Sequence, residues 1–178
     1  FDWGKKTYLM GIINVTPDSF SGDGLQTSGD VIAHAVEQAH SFVAAGAQVL
    51  DVGGESTRPG AMFVSAEEEI ARIVPSIQAI RQADPAVIIS VDTYKAEVAE
   101  AALAAGANWI NDVWALAADP LMPGVAAKYA CPVILMHNRS KPSEAVVQTG
   151  LGGRYVGPVY KDLLGEINAE LLAADDLA

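Results

Sequence analysis

The sequence is poorest in the residues that would mark a disulfide scaffold or a zinc site. A single cysteine, Cys131, cannot pair within the chain, and three scattered histidines form neither a zinc-spaced cluster with it nor an arguable Ser-His-Asp set. Cys131, just before Pro132, reads as a small buried hydrophobe. Positive charge is also scarce: Lys and Arg number 11 against 22 Asp and Glu, a formal net charge of -11. A field of that sign repels nucleic acid and anionic membrane surfaces, and it makes any anionic substrate depend on local cations or a metal. No apolar run approaches the roughly 18 residues of a membrane span, and no charged segment followed by an apolar one opens the chain, so the cytoplasm is the expected location. Aromatic residues make up only 7%, polar low-complexity stretches are missing, and a chain 51% hydrophobic over 178 residues is long enough to bury one core. The first residue is Phe1 rather than Met, and Ala173 to Ala178 carry no Gly or Pro stop signal, so both ends read as cut.

What is present is alternation. Short apolar runs at Tyr8 to Ile13, Gln48 to Val52, Val87 to Val91, Asn108 to Ile110 and Pro132 to Met136 predict five strands. Helices are predicted from about Asp30 to Ala45, Ser65 to Ala83, Lys95 to Ala105, Pro120 to Tyr129 and Val159 to Leu172. Ser65-Ala66-Glu67-Glu68 has the capping-box pattern, and Ala45-Gly46-Ala47 and Ala105-Gly106-Ala107 supply glycine at helix ends before the second and fourth strands. The last helix follows a long loop and repeats Leu163, Ile167 and Leu171 every four residues. Such βα repetition predicts a parallel sheet, either doubly wound or closed as a (β/α)8 barrel.

Polar residues decide between the two. Asn14 follows the first strand, Asp51 ends the second, Asp92 the third, Asn111 and Asp112 the fourth, and His137 with Asn138 follows the fifth. Chemistry collected from many strand ends marks a barrel mouth, whereas a doubly wound sheet concentrates it at one switch point. The expected fold is therefore an α/β (β/α)8 TIM barrel, here incomplete, with about the first five βα units. The expected organisation is one barrel domain over 1–178, truncated before the last strands.

Gly11-Ile12-Ile13-Asn14-Val15-Thr16-Pro17-Asp18-Ser19-Phe20-Ser21 resembles the first signature of dihydropteroate synthases. Asp51-Val52-Gly53-Gly54-Glu55-Ser56-Thr57-Arg58-Pro59-Gly60 is similar to their second. Ser90-Val91-Asp92-Thr93 and Ile110-Asn111-Asp112-Val113 follow in the family's order and spacing. The resemblance implies a transferase of folate biosynthesis that condenses 6-hydroxymethyl-7,8-dihydropterin diphosphate with 4-aminobenzoate, releasing diphosphate with Mg2+ bound to it. It implies Asp92 and Asn111 as pterin contacts, Thr57 and Arg58 on the diphosphate, and Asn14 at the metal-associated position. Phe20 and Pro59 would lie beside the aminobenzoate, where sulfonamides bind in the family, and Met136 would pack on the pterin ring. Asp18 would stabilise positive charge on the pterin methylene as diphosphate leaves, which with Arg58 makes the catalytic pair.

These residue types suit that chemistry. A pterin edge mixes N–H donors with acceptors, which carboxylates and amides match, and an arginine fork suits phosphate oxygens better than a lysine point charge. A neutral amide such as Asn14 holds Mg2+ weakly, so the diphosphate would supply most ligands. Asp51 is expected to support the site, since the family pairs it with a basic residue from the far side of the barrel. Asp112 either contacts pterin or caps the next turn, and His137 either meets phosphate or is structural.

The family's further aspartate, lysine and final arginine with histidine come from later strands, and Lys141, Arg154 and Lys161 fall too early to be their equivalents. The isolated chain is therefore expected to expose apolar surface and to be inactive, and the complete protein to be a homodimer. The alternatives are a non-catalytic pterin-binding barrel fragment and the pterin domain of a methyltransferase.

Overall fold

In the computed structural model the alternation becomes β1 (Met10–Asn14), α1 (Ser28–Ala44), β2 (Val49–Gly53), α2 (Ala66–Ala83), β3 (Ile88–Asp92), α3 (Ala96–Ala104), β4 (Trp109–Asp112), α4 (Met122–Tyr129) and β5 (Val133–Leu135). Two two-residue strands, β6 (Val147–Gln148) and β7 (Arg154–Tyr155), and α5 (Leu163–Asp175) follow. The structure describes residues 1–16, 28–56, 63–139, 147–148, 154–155 and 159–177.

All neighbouring pairs from β1 to β5 are parallel, and the spatial order is β1-β2-β3-β4-β5. A doubly wound sheet reverses strand order at a switch point, and this sheet does not. Monotonic order is that of a barrel wall.

Register sorts the side chains into two faces, because residues i and i+2 of a strand share a side. Ile13, Val52, Val91, Ile110 and Val133 pair in one row across the sheet. The first four are fully buried or nearly so, and join Ile73, Ile77 and Ile80 of α2 in the core between sheet and helices. Each such side chain stabilises the fold by about 1.5–3 kcal/mol through apolar burial alone. The opposite, concave face carries Ile12, Asp51, Ser90 and Trp109 in one row and Asn14, Gly53, Asp92, Asn111 and Ile134 in the next.

Local signals set the helix ends. Ser65 caps α2 by accepting a hydrogen bond from the Glu68 amide at 3.2 Å, as the capping-box pattern requires. Gly46 and Gly106 take φ of +98° and +115°, the left-handed values that end α1 and α3. At the amino-terminal side of the sheet, Arg81 donates to the carbonyls of Val87 (2.7 Å) and Gly106 (2.9 Å) and to Asn108 Oδ1 (2.6 Å). One guanidinium thus ties the end of α2 to the starts of β3 and β4.

Three expectations need correction. Asp51 does not end its strand: β2 runs on to Gly53, so Asp51 sits at mid-strand, one row below the rim. The last helix begins at Leu163 rather than near Val159, because Asp162 caps it through the Gly165 amide at 3.2 Å. Of its expected stripe, Ile167 and Leu171 are half-buried whereas Leu163 is exposed. The loop before it holds the antiparallel pair β6–β7, whose two-residue runs are too short for periodicity to reveal.

Candidate site on the concave face

Three of the residues singled out by sequence meet in one row. The pairing Asn14–Gly53–Asp92–Asn111 runs straight across four strands, so the amide of Asn14, the Asp92 carboxyl and the Asn111 amide share one level and one face. Gly53 leaves the row open between Asn14 and Asp92: a Cβ there would lie 3.4 Å from both Cβ and Oδ2 of Asp92. Strand ends are held in register by the Val15 amide on the Gly53 carbonyl (2.7 Å) and the Thr93 amide on the Asn111 carbonyl (3.1 Å).

Beneath that row, Asn111 Nδ2 donates to Asp51 Oδ2 at 2.9 Å. This bond orients the Asn111 amide. Asp51 is only 4% exposed and Ser90 fully buried, with the Ser90 hydroxyl favouring the Asp51 carboxylate, and Asp92 Oδ1 is buried without a hydrogen-bond partner among the described residues. A buried polar atom left unpaired costs about 1–3 kcal/mol, so Asp92 Oδ1, set among other buried polar groups on one face, marks a place built for a polar ligand rather than for packing.

The electrostatics agree with that assignment. Burial pushes the Asp92 carboxyl up to about 7, aided by the negative charges of Asp51, Glu69, Asp112 and Glu55. Burial also raises Asp51. Near neutrality Asp92 can therefore accept from an N–H donor as a carboxylate or donate as an acid, while Asn111 offers a fixed amide.

Asp112 is excluded from this row. Its carboxylate accepts from the Trp114 (2.8 Å) and Leu116 (3.0 Å) amides, capping a turn in which Ala115 and Leu116 have positive φ. His137 is engaged elsewhere, its Nε2 lying 2.7 Å from Glu170 Oε2 on α5, beside the ion pairs of Arg139 with Glu166 and Glu170. Met136 lies just past β5 and is 43% exposed; it lines a cleft of about 220 Å³ with Trp114, His137 and Leu171 of α5. Cys131 is half-buried against the core. Asp18, Phe20, Thr57, Arg58 and Pro59 lie outside the described residues.

Sequence reasoning missed a buried ion triad behind the row. Lys95 Nζ donates to Glu55 Oε2 at 2.6 Å and to Glu69 Oε2 at 2.5 Å. Glu55 Oε1 accepts from the Val64 amide at 3.0 Å, and Gly54 approaches α2 so closely that a Cβ would lie 2.7 Å from Ile73 Cγ2 and 3.0 Å from Glu69 Cγ. Glu69, in the first turn of α2, reads in sequence as one of three acids complementing the helix dipole; only its 1% exposure separates it from Glu67 and Glu68. Ser90 had a weak signal, a polar residue two before Asp92 inside an apolar strand.

Among the described residues no group of three or more His, Cys, Asp or Glu side chains is placed to hold a metal ion, and no helix is long and apolar enough to cross a membrane.

Residues 10–174 match the family model described as pterin binding enzyme. The chain is 46% identical over 178 residues to the dihydropteroate synthase of Synechocystis sp., covering all of this chain and 57% of that protein. It is 54% identical over 139 residues to that of Clostridium beijerinckii, covering 78% and 50%. Among solved structures it superposes on a Clostridium difficile dihydropteroate synthase crystallised with pteroic acid at a TM-score of 0.84, with 40% identity over all of this chain and 60% of that one. A Xanthomonas albilineans dihydropteroate synthase with 4-aminobenzoic acid gives 0.80 and 40%, over 97% and 57%. The chain spans about half the length of the curated relatives it matches, and its sheet corresponds to an incomplete barrel of five βα units.

Proposed function

From the premise that this chain belongs to the pterin-binding enzymes, we propose that it forms the pterin-recognising part of a dihydropteroate synthase. The reaction is displacement of diphosphate from 6-hydroxymethyl-7,8-dihydropterin diphosphate by the amine of 4-aminobenzoate. The observation that carries this reading is the Asn14–Gly53–Asp92–Asn111 row on the concave face, with the buried, unpaired Asp92 Oδ1 in it. It draws support from relatives crystallised with pteroic acid and with 4-aminobenzoic acid.

In this reading Asp92 accepts from the pterin's amino and ring N–H donors, and Asn111, held by Asp51, supplies its amide oxygen beside it. Desolvating Asp92 makes each such bond stronger than it would be in water. Thr57 and Arg58 bind the diphosphate, Arg58 neutralising charge as it departs, and Asp18 stabilises the methylene carbon as it becomes positive. Phe20 and Pro59 border the aminobenzoate, which is also where a sulfonamide would bind, and Met136 approaches the pterin ring. Mg2+, carried in on the diphosphate and touched by Asn14, would add electrostatic stabilisation of the leaving group. The complete protein would act as a cytoplasmic homodimer whose remaining strands close the barrel.

The test has two arms. Titration of this chain with pteroic acid, followed by tryptophan fluorescence, should saturate, and the Asp92→Asn variant should bind at least tenfold more weakly. Aminobenzoate-dependent diphosphate release, measured on the protein extended to the length of its relatives, should require Arg58 and Mg2+. Pteroic acid binding that ignores Asp92→Asn overturns the pterin assignment, and binding without diphosphate release in the extended protein leaves only a non-catalytic pterin-binding barrel.

A further inference from the structure

The Glu55–Lys95–Glu69 triad joins three separate segments at one buried point. Glu55 follows β2, Glu69 belongs to the first turn of α2, and Lys95 stands three residues after Asp92, between β3 and α3. The Lys95 and Glu69 side chains are 11% and 1% exposed and that of Glu55 is 8%. The segment from Asp92 to Lys95 has further anchors: the Thr93 amide donates to the Asn111 carbonyl at 3.1 Å, and the Lys95 amide to Thr93 Oγ1 at 3.3 Å. Asp119 Oδ2 then receives the Ala96 amide at 2.8 Å.

One cation shared by two carboxylates does not neutralise them. Taking such a cluster out of water can cost more than it returns in stability, so stability alone is a weak reason for its presence. What it holds at fixed spacing is the end of β2, with Gly53 and Gly54, against the end of β3, with Asp92. With all three groups charged, one negative charge is left over; burial raises the Glu69 carboxyl, and the Lys95 ammonium acts against that by lowering it.

We propose that Glu69 and Lys95 are positioning residues for Asp92: the triad sets the distance between the ends of β2 and β3 and keeps a net negative charge beside the Asp92 carboxyl. The groups acting on that carboxyl are Asp51 from β2, Glu55 from the following loop, Glu69 from α2 and Asp112 from β4. The proposal takes from the preceding section only that Asp92 meets the ligand.

The Asp92 titration can be followed in the ligand-free chain by carboxyl carbon NMR, with the resonance assigned by its loss in Asp92→Asn. Glu69→Gln, which leaves Lys95 paired with Glu55, should move the midpoint to lower pH by about one pH unit. Lys95→Met should move it to higher pH, and Lys95→Arg, which keeps the cation, should return it close to the parent value. In the same variants pteroic acid affinity should fall about tenfold for Lys95→Met and recover in Lys95→Arg. A folded Glu69→Gln chain, judged by its amide spectrum, with an unmoved Asp92 midpoint overturns the proposal. So does a Lys95→Arg chain that behaves like Lys95→Met. Asp92→Asn binding pteroic acid as well as the parent would instead sink the pterin reading, leaving the midpoint shifts to stand by themselves.

Discussion

The two faces of one five-stranded sheet are built by opposite rules. Towards the helices, Ile13, Val52, Val91 and Ile110 form a dry row in the core shared with the helices and leave no polar atom to satisfy. Towards the concave side, the same strands, one residue out of phase, carry Asp51, Ser90, Asp92 and Asn111, with Asp92 Oδ1 buried and unpaired among the described residues. The first face is where folding free energy comes from, and the second is where some of it is given up to hold groups ready for a ligand. The edge strand displays the contrast most directly: in β1, Ile13 is fully buried while its neighbour Ile12, on the concave side, is 57% exposed.

The strongest test of that division is Ile77→Ala on α2. It should cost roughly 2–5 kcal/mol of unfolding free energy in a denaturant melt. The pteroic acid affinity of the folded fraction should stay within about twofold. If affinity collapsed with stability, the two faces would not be separable.

Asp92→Asn should do the reverse. The Asp92 carboxyl is raised from 3.8 to about 7 in the folded chain, so between those values the native state holds a proton that the unfolded state has released. Stability therefore falls as pH rises from about 4 to about 7 and is lowest above that, a loss of roughly 2–4 kcal/mol from this group. The variant should lack this loss, melting later than the parent at pH 8 and equally at pH 4, while its pteroic acid affinity drops about 10- to 100-fold. A melting difference that is the same at both pH values would show that Asp92 is not the group responsible.

Asn111→Ala should weaken pteroic acid binding about tenfold and, by removing the donor to Asp51, lower stability by about 1–3 kcal/mol. A change in affinity without one in stability would mean that the Asp51 contact contributes nothing to the fold. The smallest effect belongs to the helical side: Ser65→Ala should cost about 1 kcal/mol through loss of the α2 cap and leave binding untouched.

Much of this was legible beforehand. The five strands and five helices follow from the change between apolar runs and helical spacing, and the monotonic strand order bore out the barrel over the doubly wound sheet. A polar residue ending an apolar strand makes Asn14, Asp92 and Asn111 conspicuous, and the resemblance to the family's signatures is what singles them out for the site. Asp51 lies one row below the strand end expected of it, since a Gly-Gly continuation looks like loop whereas the parallel ladder extends through Gly53. Asp112 could be either ligand or cap until the Trp114 and Leu116 amides were seen on it.

By itself, then, the sequence determined the βα succession, the apolar row and the strand-end residues, because these depend on neighbours within a few positions and on a period of two or 3.6. Only the tertiary structure decided that Asn14, Asp92 and Asn111 share one level, that Asp51 holds Asn111, and that Lys95 joins Glu55 to Glu69. Those contacts span 60, 40 and 26 positions along the chain. They exist because parallel pairing aligns strands that are distant in sequence, and no local pattern encodes which buried charge will find which partner.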